Sequence, residues 1–316
     1  MKILNNLNIF TENNISPIIP KLDKDSHKGQ NGKTLIVVGG SPLFHGAGRL
    51  AGIASLEVIT KFSSITNDMV FFCSTKENIE YLKERYETFI GIERSQLDHY
   101  LNTTDVVILG PGLMREKEEG LKETENEPFI TEEITEKVLM TEKKIIIDAG
   151  SLQIIAKSKH LKNILKGRKN TIITPHIKEM QELFNIPEIN LQTSQNQTFM
   201  QIKNVGERVL EMAKEYNIVI LLKGPIDIIA DKNDWRYIVG GNPGMTKGGT
   251  GDVLAGVVGA LYSRIENPME AACVGSLITK KTGELLWKKD NSYFDASDLA
   301  RSVGKTIDIL RNNLVQ

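Results

Sequence analysis

The tightest constraint on this chain lies at residues 242–252. There Asn242-Pro243-Gly244-Met245-Thr246-Lys247-Gly248-Gly249-Thr250-Gly251-Asp252 runs straight into Val-Leu-Ala-Gly-Val-Val-Gly-Ala-Leu. The apolar stretch, 253–261, is too short to span a bilayer and reads as a buried helix. The glycines therefore sit at a helix N-terminus, where the first backbone N–H groups lack intrahelical partners and the macrodipole is positive. Gly248, Gly249 and Gly251 have no Cβ and let an anion approach the main chain, so the place suits a phosphate. Asp252 admits two readings. It caps the helix, as Asp commonly does; or it faces a substrate hydroxyl or a metal, because a carboxylate aimed at a phosphate would repel it, and acts as a general base.

Around this stretch, strands alternate with helices. Residues 34–38, 105–109, 144–148, 171–174 and 218–222 are apolar runs of strand length, the kind that suits parallel strands covered on both faces. Several end in residues with chemistry. Residues 34–38 lead into Gly39-Gly40-Ser41-Pro42-Leu43-Phe44-His45-Gly46-Ala47-Gly48, a glycine-rich loop before a helical stretch over 49–61. Residues 105–109 end in Gly110-Pro111-Gly112, 144–148 in Asp148-Ala149-Gly150, 171–174 in Pro175-His176 and 218–222 in Lys223-Gly224-Pro225-Ile226-Asp227. A hairpin is expected around Asp231–Asp234, and helices over 201–216, 270–289 and 295–312. Loops at the carboxyl ends of strands form the ligand-binding edge of an open α/β sheet, so the fold class expected is a doubly wound, mostly parallel sheet flanked by helices on both faces.

Composition narrows the function classes. The chain has 316 residues, 40% of them hydrophobic and 25% charged, with a net charge of −1, so nothing marks a nucleic-acid surface and a small-molecule partner is expected. Cys73 and Cys273 sit far apart among apolar residues and read as buried thiols of a cytoplasmic protein, and no Cys/His spacing suggests zinc. Residues 1–26 have weak periodicity and read as an irregular leader without the charge-then-apolar order of a signal peptide. No membrane span is expected, and residues 27–316 read as a single domain. The charge run over 115–127 reads as a solvated loop or exposed helix end without chemistry, and 190–200 as a polar loop.

The motif Asn-Pro-Gly-Met-x-x-Gly-Gly-Thr-Gly-Asp-Val-Leu resembles that of the ADP/ATP-dependent (S)-NAD(P)H-hydrate dehydratases of the ribokinase-like superfamily. The stretch His27-Lys28-Gly29-x-x-Gly32-Lys33, the loop Gly-Gly-Ser-x-x-x-x-Gly-Ala, and Thr174-Pro175-His176-x-x-Glu179 resemble the same family. The resemblance implies a ribokinase-like fold over about residues 27–312, with no epimerase domain in front. It also implies dehydration of NADH hydrate or NADPH hydrate with ADP or ATP and Mg²⁺, through phosphorylation of the C6 hydroxyl. Asp252 would be the base. Ala47, Gly112 and His176 would contact substrate together with Asp252; Lys223, Gly224, Pro225, Ile226 and Asp227 would hold the nucleotide with Gly248, Gly249 and Gly251. Asp148 would organise the metal through water. Relatives form symmetric assemblies, which implies a homo-oligomer, a tetramer being one form.

Three departures stand against the family pattern. Gly150 replaces a second carboxylate, Pro225-Ile226-Asp227 replaces Ala-Gly-Thr, and residues 62–68 replace a glycine-rich turn. Those at Gly150 and Pro225–Asp227 keep open a nucleotide-binding regulatory protein with degenerate catalysis; a small-alcohol kinase of the same superfamily would share Gly-Thr-Gly-Asp but release a phosphorylated product, and the His-Lys-Gly and Thr-Pro-His motifs argue against it.

Overall fold

The computed structural model describes residues 8–15, 18, 34–62, 69–85, 88–116, 121–187 and 199–314. The motif at 27–33, most of the expected leader, the departure at 63–68, residues 117–120 of the charge run and the loop at 190–198 lie outside the described residues.

Nine strands form one sheet: β1 (Thr34–Val38), β2 (Met69–Ser74), β3 (Phe89–Glu93), β4 (Val106–Leu109), β5 (Lys144–Ile147), β6 (Thr171–Ile173), β7 (Val219–Leu222), β8 (Ile226–Ala230) and β9 (Trp235–Val239), in the order β3-β2-β1-β4-β5-β6-β7-β8-β9. Every pairing from β3 across to β7 is parallel, while β8 and β9 add an antiparallel hairpin around the expected turn. The chain winds outward from β1 to β3, then returns to lay β4 on the other side of β1. Such a reversal opens a crevice at the carboxyl ends of the two strands on either side of it, the place where open α/β sheets bind ligands.

The apolar runs form strands because both faces are covered. Side chains alternate along each strand, so Leu35 and Val37 enter one core while Ile36 and Val38 enter the other. The first core lies under α1 (His45–Phe62), α2 (Lys76–Arg85), α9 (Thr250–Tyr262), α10 (Pro268–Asp290) and α11 (Ala296–Leu314). The second lies under α3 (Leu97–Thr103), α4 (Glu127–Leu139), α5 (Ala149–Lys157), α6 (Lys159–Leu165), α7 (Ile177–Phe184) and α8 (Phe199–Tyr216). In α9, every residue from Val253 to Tyr262 is buried, as its unbroken apolar sequence requires. No helix among the described residues is long and apolar enough to cross a membrane.

Three sequence expectations are corrected. The helix expected at 49–61 begins at His45, so Ala47 belongs to the first turn of α1 rather than to a loop. Within the expected leader, residues 8–15 are ordered against the sheet: Phe10 N–H donates to the Tyr237 carbonyl at 3.0 Å, Tyr237 N–H donates to the Asn8 carbonyl at 2.9 Å, and Ile15 is fully buried. They cover the edge of β9, where backbone groups would otherwise be left open to another strand. Within the charge run, Glu127 is buried and ion-paired rather than solvated.

Candidate functional site

The glycine turn meets α9 as its sequence requires. Gly249 is the N-cap, at φ +96° and with no side chain to accept from the first turn, so Asp252 stands inside the helix and does not cap it. The three glycines serve three purposes. A Cβ on Gly249 would lie 2.6 Å from Leu50 Cδ1 and 2.8 Å from Ala296 Cβ, so packing excludes a side chain there. A Cβ on Gly251 would come within 3.4 Å of Lys223 Nζ, at the centre of the charged cluster. A Cβ on Gly248 would meet nothing within 4 Å, and the open space above it is what an incoming anion needs. Thr250 Oγ1 closes the turn on the Met245 carbonyl at 2.9 Å, and Lys247 is drawn off to the carbonyls of Ser292 and Phe294.

The end of β7 brings Lys223 into this space, and the end of β5 brings Asp148. Lys223 Nζ donates to Asp148 Oδ1 at 2.6 Å, with Asp148 almost wholly buried. Lys223 N–H donates to the Pro175 carbonyl at 2.9 Å, tying the strand end to the loop that carries His176. Burial and the carboxylates of Asp148 and Glu179 push the Asp252 carboxyl up to about 7, with Lys223 only partly offsetting them. Burial pulls the Lys223 ammonium down, yet Asp148, Glu179 and Asp252 outweigh it and leave it above the ordinary lysine value. Three carboxyl groups thus share one lysine. A surplus of carboxylate oxygen suits a hard cation, and Mg²⁺ takes one or two carboxylates together with phosphate oxygens and water. No all-protein cage of three or more His, Cys, Asp or Glu occurs among the described residues.

His176 is the N-cap of α7. Its Nδ1 accepts from Glu179 N–H at 3.1 Å while Glu179 Oε2 accepts from His176 N–H at 2.9 Å, a reciprocal capping box that leaves the imidazole half-exposed. Glu179 is buried and its Oε1 accepts from Gln153 Nε2 at 3.0 Å. Sequence reasoning quoted it within the motif Thr174-Pro175-His176-x-x-Glu179 but gave it no role. Its signal was the spacing of three after the histidine, which fixes it beside Lys223 and Asp252.

The loops after β1 and β4 meet backbone to backbone. A Cβ on Gly112, at φ +76°, would lie 2.4 Å from the Phe44 carbonyl oxygen. Gly112 therefore stands at a crossing with the loop that leads into α1, whose first turn carries Ala47. The replacement at Gly150 has the same kind of cause: a Cβ there would lie 1.9 Å from the Leu113 carbonyl oxygen, so no carboxylate fits while that loop keeps its course.

Asp227, expected beside the nucleotide, has internal partners as well. Its carboxylate is engaged inside the fold: Oδ1 accepts from Gly224 N–H at 2.9 Å, Oδ2 accepts from Ser276 Oγ at 2.7 Å, and Lys280 Nζ lies 3.3 Å from Oδ1. Lys280 also donates to the carbonyls of Gly224 and Pro225, at 3.0 and 3.3 Å. The added carboxylate shapes the Lys223-Gly224-Pro225-Ile226 turn and is matched by a buried lysine from α10. A cavity of about 450 Å³ opens beside Asn242 and Pro243 against Trp287 and Lys288, and none of its lining residues is an expected contact.

The family model described as NAD(P)H-hydrate dehydratase matches residues 35–305. The bifunctional NAD(P)H-hydrate repair enzyme Nnr of Methanocaldococcus jannaschii is 32% identical over 294 residues, 92% of this chain and 51% of that protein, so the chain spans about half the length of that relative. The ADP-dependent (S)-NAD(P)H-hydrate dehydratase of Nitrosopumilus maritimus is 30% identical over 298 residues, covering 90% of this chain and 91% of that one. The structure of the ADP/ATP-dependent NAD(P)H-hydrate dehydratase from Bacillus subtilis, co-crystallized with ATP and Mg²⁺, superposes with a TM-score of 0.74 at 22% identity. It covers 97% of this chain and 99% of that chain, and establishes the shared ribokinase-like fold. The chain belongs to the NAD(P)H-hydrate dehydratase family.

Proposed function

We propose that the protein dehydrates (S)-NADH hydrate or (S)-NADPH hydrate to NADH or NADPH at the expense of ADP or ATP. The observation that carries the reading is a carboxyl group, Asp252, held at about pKa 7 at the mouth of a main-chain anion cradle and beside the Lys223–Asp148 pair. A base is most useful when its pKa lies near the working pH, and ordinary aspartates are far below it.

In this reading Asp252 removes the proton of the C6 hydroxyl as that oxygen attacks the terminal phosphoryl group. The bond from phosphorus to the leaving nucleotide breaks. The new phosphate ester then departs from C6 as inorganic phosphate, the proton on C5 passes to water, and the electrons of that C–H bond restore the ring double bond between C5 and C6. Hydroxide is a poor leaving group, and phosphorylation turns it into one whose charge the site can hold. The N–H groups around Gly248, Gly249 and Gly251 and the Lys223 ammonium face the charge that spreads over the transferring phosphoryl group, which is where electrostatic preorganisation acts. Mg²⁺, when bound, would neutralise phosphate charge, and Asp148 is the residue to hold it through water. Ala47, Gly112 and His176 would line the dihydropyridine side, and the turn at 223–226 the nucleotide side. A homo-oligomeric state and a cytoplasmic location complete the proposal.

The test is to incubate the protein with NADH hydrate, Mg²⁺ and ADP or ATP while following the absorbance of the restored dihydropyridine and the phosphate released. NADH and phosphate in equal amounts are expected. A stable phosphorylated product would make the chain a kinase, and nucleotide binding without either product would make it a non-catalytic binder.

A further inference from the structure

The buried pair Arg94–Glu127 lies outside the chemistry above. Arg94 follows β3 and Glu127 opens α4. Arg94 Nη1 donates to Glu127 Oε1 at 2.8 Å and Nη2 donates to Oε2 at 3.0 Å, a two-pronged ion pair with the side chains 15% and 5% exposed. Nη2 also donates to the Gly40 carbonyl at 2.7 Å, and the buried Nε finds no partner. Burying two charges costs solvation that their attraction repays only in part, and apolar residues of similar size often serve stability as well or better. Stability alone therefore does not account for the pair. What sets it apart is the carbonyl it grips.

Gly40, at φ +77°, belongs to the loop between β1 and α1. Its N–H donates to the Pro111 carbonyl at 2.8 Å, and a Cβ on Gly112 would stand 3.1 Å from its backbone. Asn78 Nδ2, from α2, holds the next carbonyl, Ser41, at 3.2 Å and also donates to Ser74 Oγ at 2.9 Å. A guanidinium after β3, a carboxylate from α4 and an amide from α2 thus converge on the crossing of the β1 and β4 loops. That crossing is the one where Gly112 lies against Gly40 and Phe44, just ahead of the turn of α1 that carries Ala47.

We infer that Arg94, oriented by Glu127, is a positioning residue for the hydrated dihydropyridine nucleotide: through the Gly40 carbonyl it fixes the floor on which the reacting ring rests before Asp252. The inference rests on the dehydratase reading. Neither residue belongs to the nucleotide cradle, so its consequence falls on one of the two substrates.

The test compares wild type with Arg94→Met and with the paired Arg94→Met/Glu127→Leu variant, which leaves no unpaired buried charge and keeps the fold accessible. Kinetics are measured with NADH hydrate varied at saturating ATP and Mg²⁺, and with ATP varied at saturating hydrate. Amide exchange is followed over 39–48 and 110–113. The expected result is a KM for NADH hydrate raised at least ~10-fold, since small misplacements of a reactant are costly, with the KM for ATP within about twofold and faster exchange in both loops. Arg94→Lys, which keeps the charge but loses the planar fork, falls between. An unmoved hydrate KM in the paired variant, an equal rise in both KM values, or failure of both variants to fold overturns the inference. Absence of dehydration by the wild-type protein instead sinks the reading beneath it, whereas normal wild-type turnover with an unmoved hydrate KM sinks the inference alone.

Discussion

The two sides of the site use glycine and charge in opposite ways. On the α9 side, Gly248 borders open space and three carboxyl groups crowd one lysine, so the region is built short of atoms and short of positive charge. On the β1 and β4 side, Gly112 is pressed against a carbonyl and the charges are matched in the Arg94–Glu127 pair. The difference separates ligand from scaffold. Where glycine and charge are left unsatisfied by the protein, a ligand completes them; where both are satisfied, the protein is holding its own shape.

The largest effect is expected at Lys223. Lys223→Met leaves the buried Asp148 without its counter-charge, and breaking a buried pair from one side costs about 3–5 kcal/mol. Urea unfolding would show a lower midpoint at unchanged slope.

A pair of glycine substitutions sharpens the contrast. Gly112→Ala adds a methyl group 2.4 Å from the Phe44 carbonyl at a positive φ and is expected to cost about 1–3 kcal/mol of stability. Gly248→Ala meets no protein atom within 4 Å and is expected to stay within ~0.5 kcal/mol of wild type in thermal unfolding. Calorimetry should instead show weaker ADP and ATP binding to that variant. Equal stability losses at the two positions would erase the distinction between the regions.

The most gradual effect, spread over several pH units, is the pH dependence of stability from Asp252. Its carboxyl titrates near 3.8 in the unfolded chain and about 7 in the folded one. Between those values the folded protein holds a proton that the unfolded chain has released, so stability falls as pH rises across this window and levels off above it. Asp252→Asn removes that slope. Its Tm is expected to match wild type near pH 4 and to exceed it above pH 7. Parallel Tm curves would mean that the carboxyl is not strained in the folded state.

Much of this arrangement was legible in the sequence. Apolar runs ending in Gly, Asp, His or Lys marked five of the seven parallel strands, and Asp148, His176, Lys223 and the glycine turn lie at one sheet edge because parallel strands present their carboxyl ends together. Other features were hidden by local composition. The strand β3 carries Gly91 and two exposed positions at the sheet edge, so it lacks a continuous apolar signal. Glu127 closes a run of charged residues, and its ion pair with the distant Arg94 is not visible in that local pattern. Asp227 looked misplaced beside phosphate because Lys280, its partner, is 53 residues further on in α10. Pairings across long sequence separations leave no mark on either local pattern.

The central claim is that Asp252 is the base at the mouth of the cradle, and the most direct measurement is turnover of NADH hydrate by Asp252→Asn alongside its affinity for ADP and ATP. The account expects kcat to fall by about 10²–10⁴ while both nucleotide affinities stay within about twofold of wild type. Turnover near that of wild type, in a variant that folds and binds nucleotide normally, would contradict it.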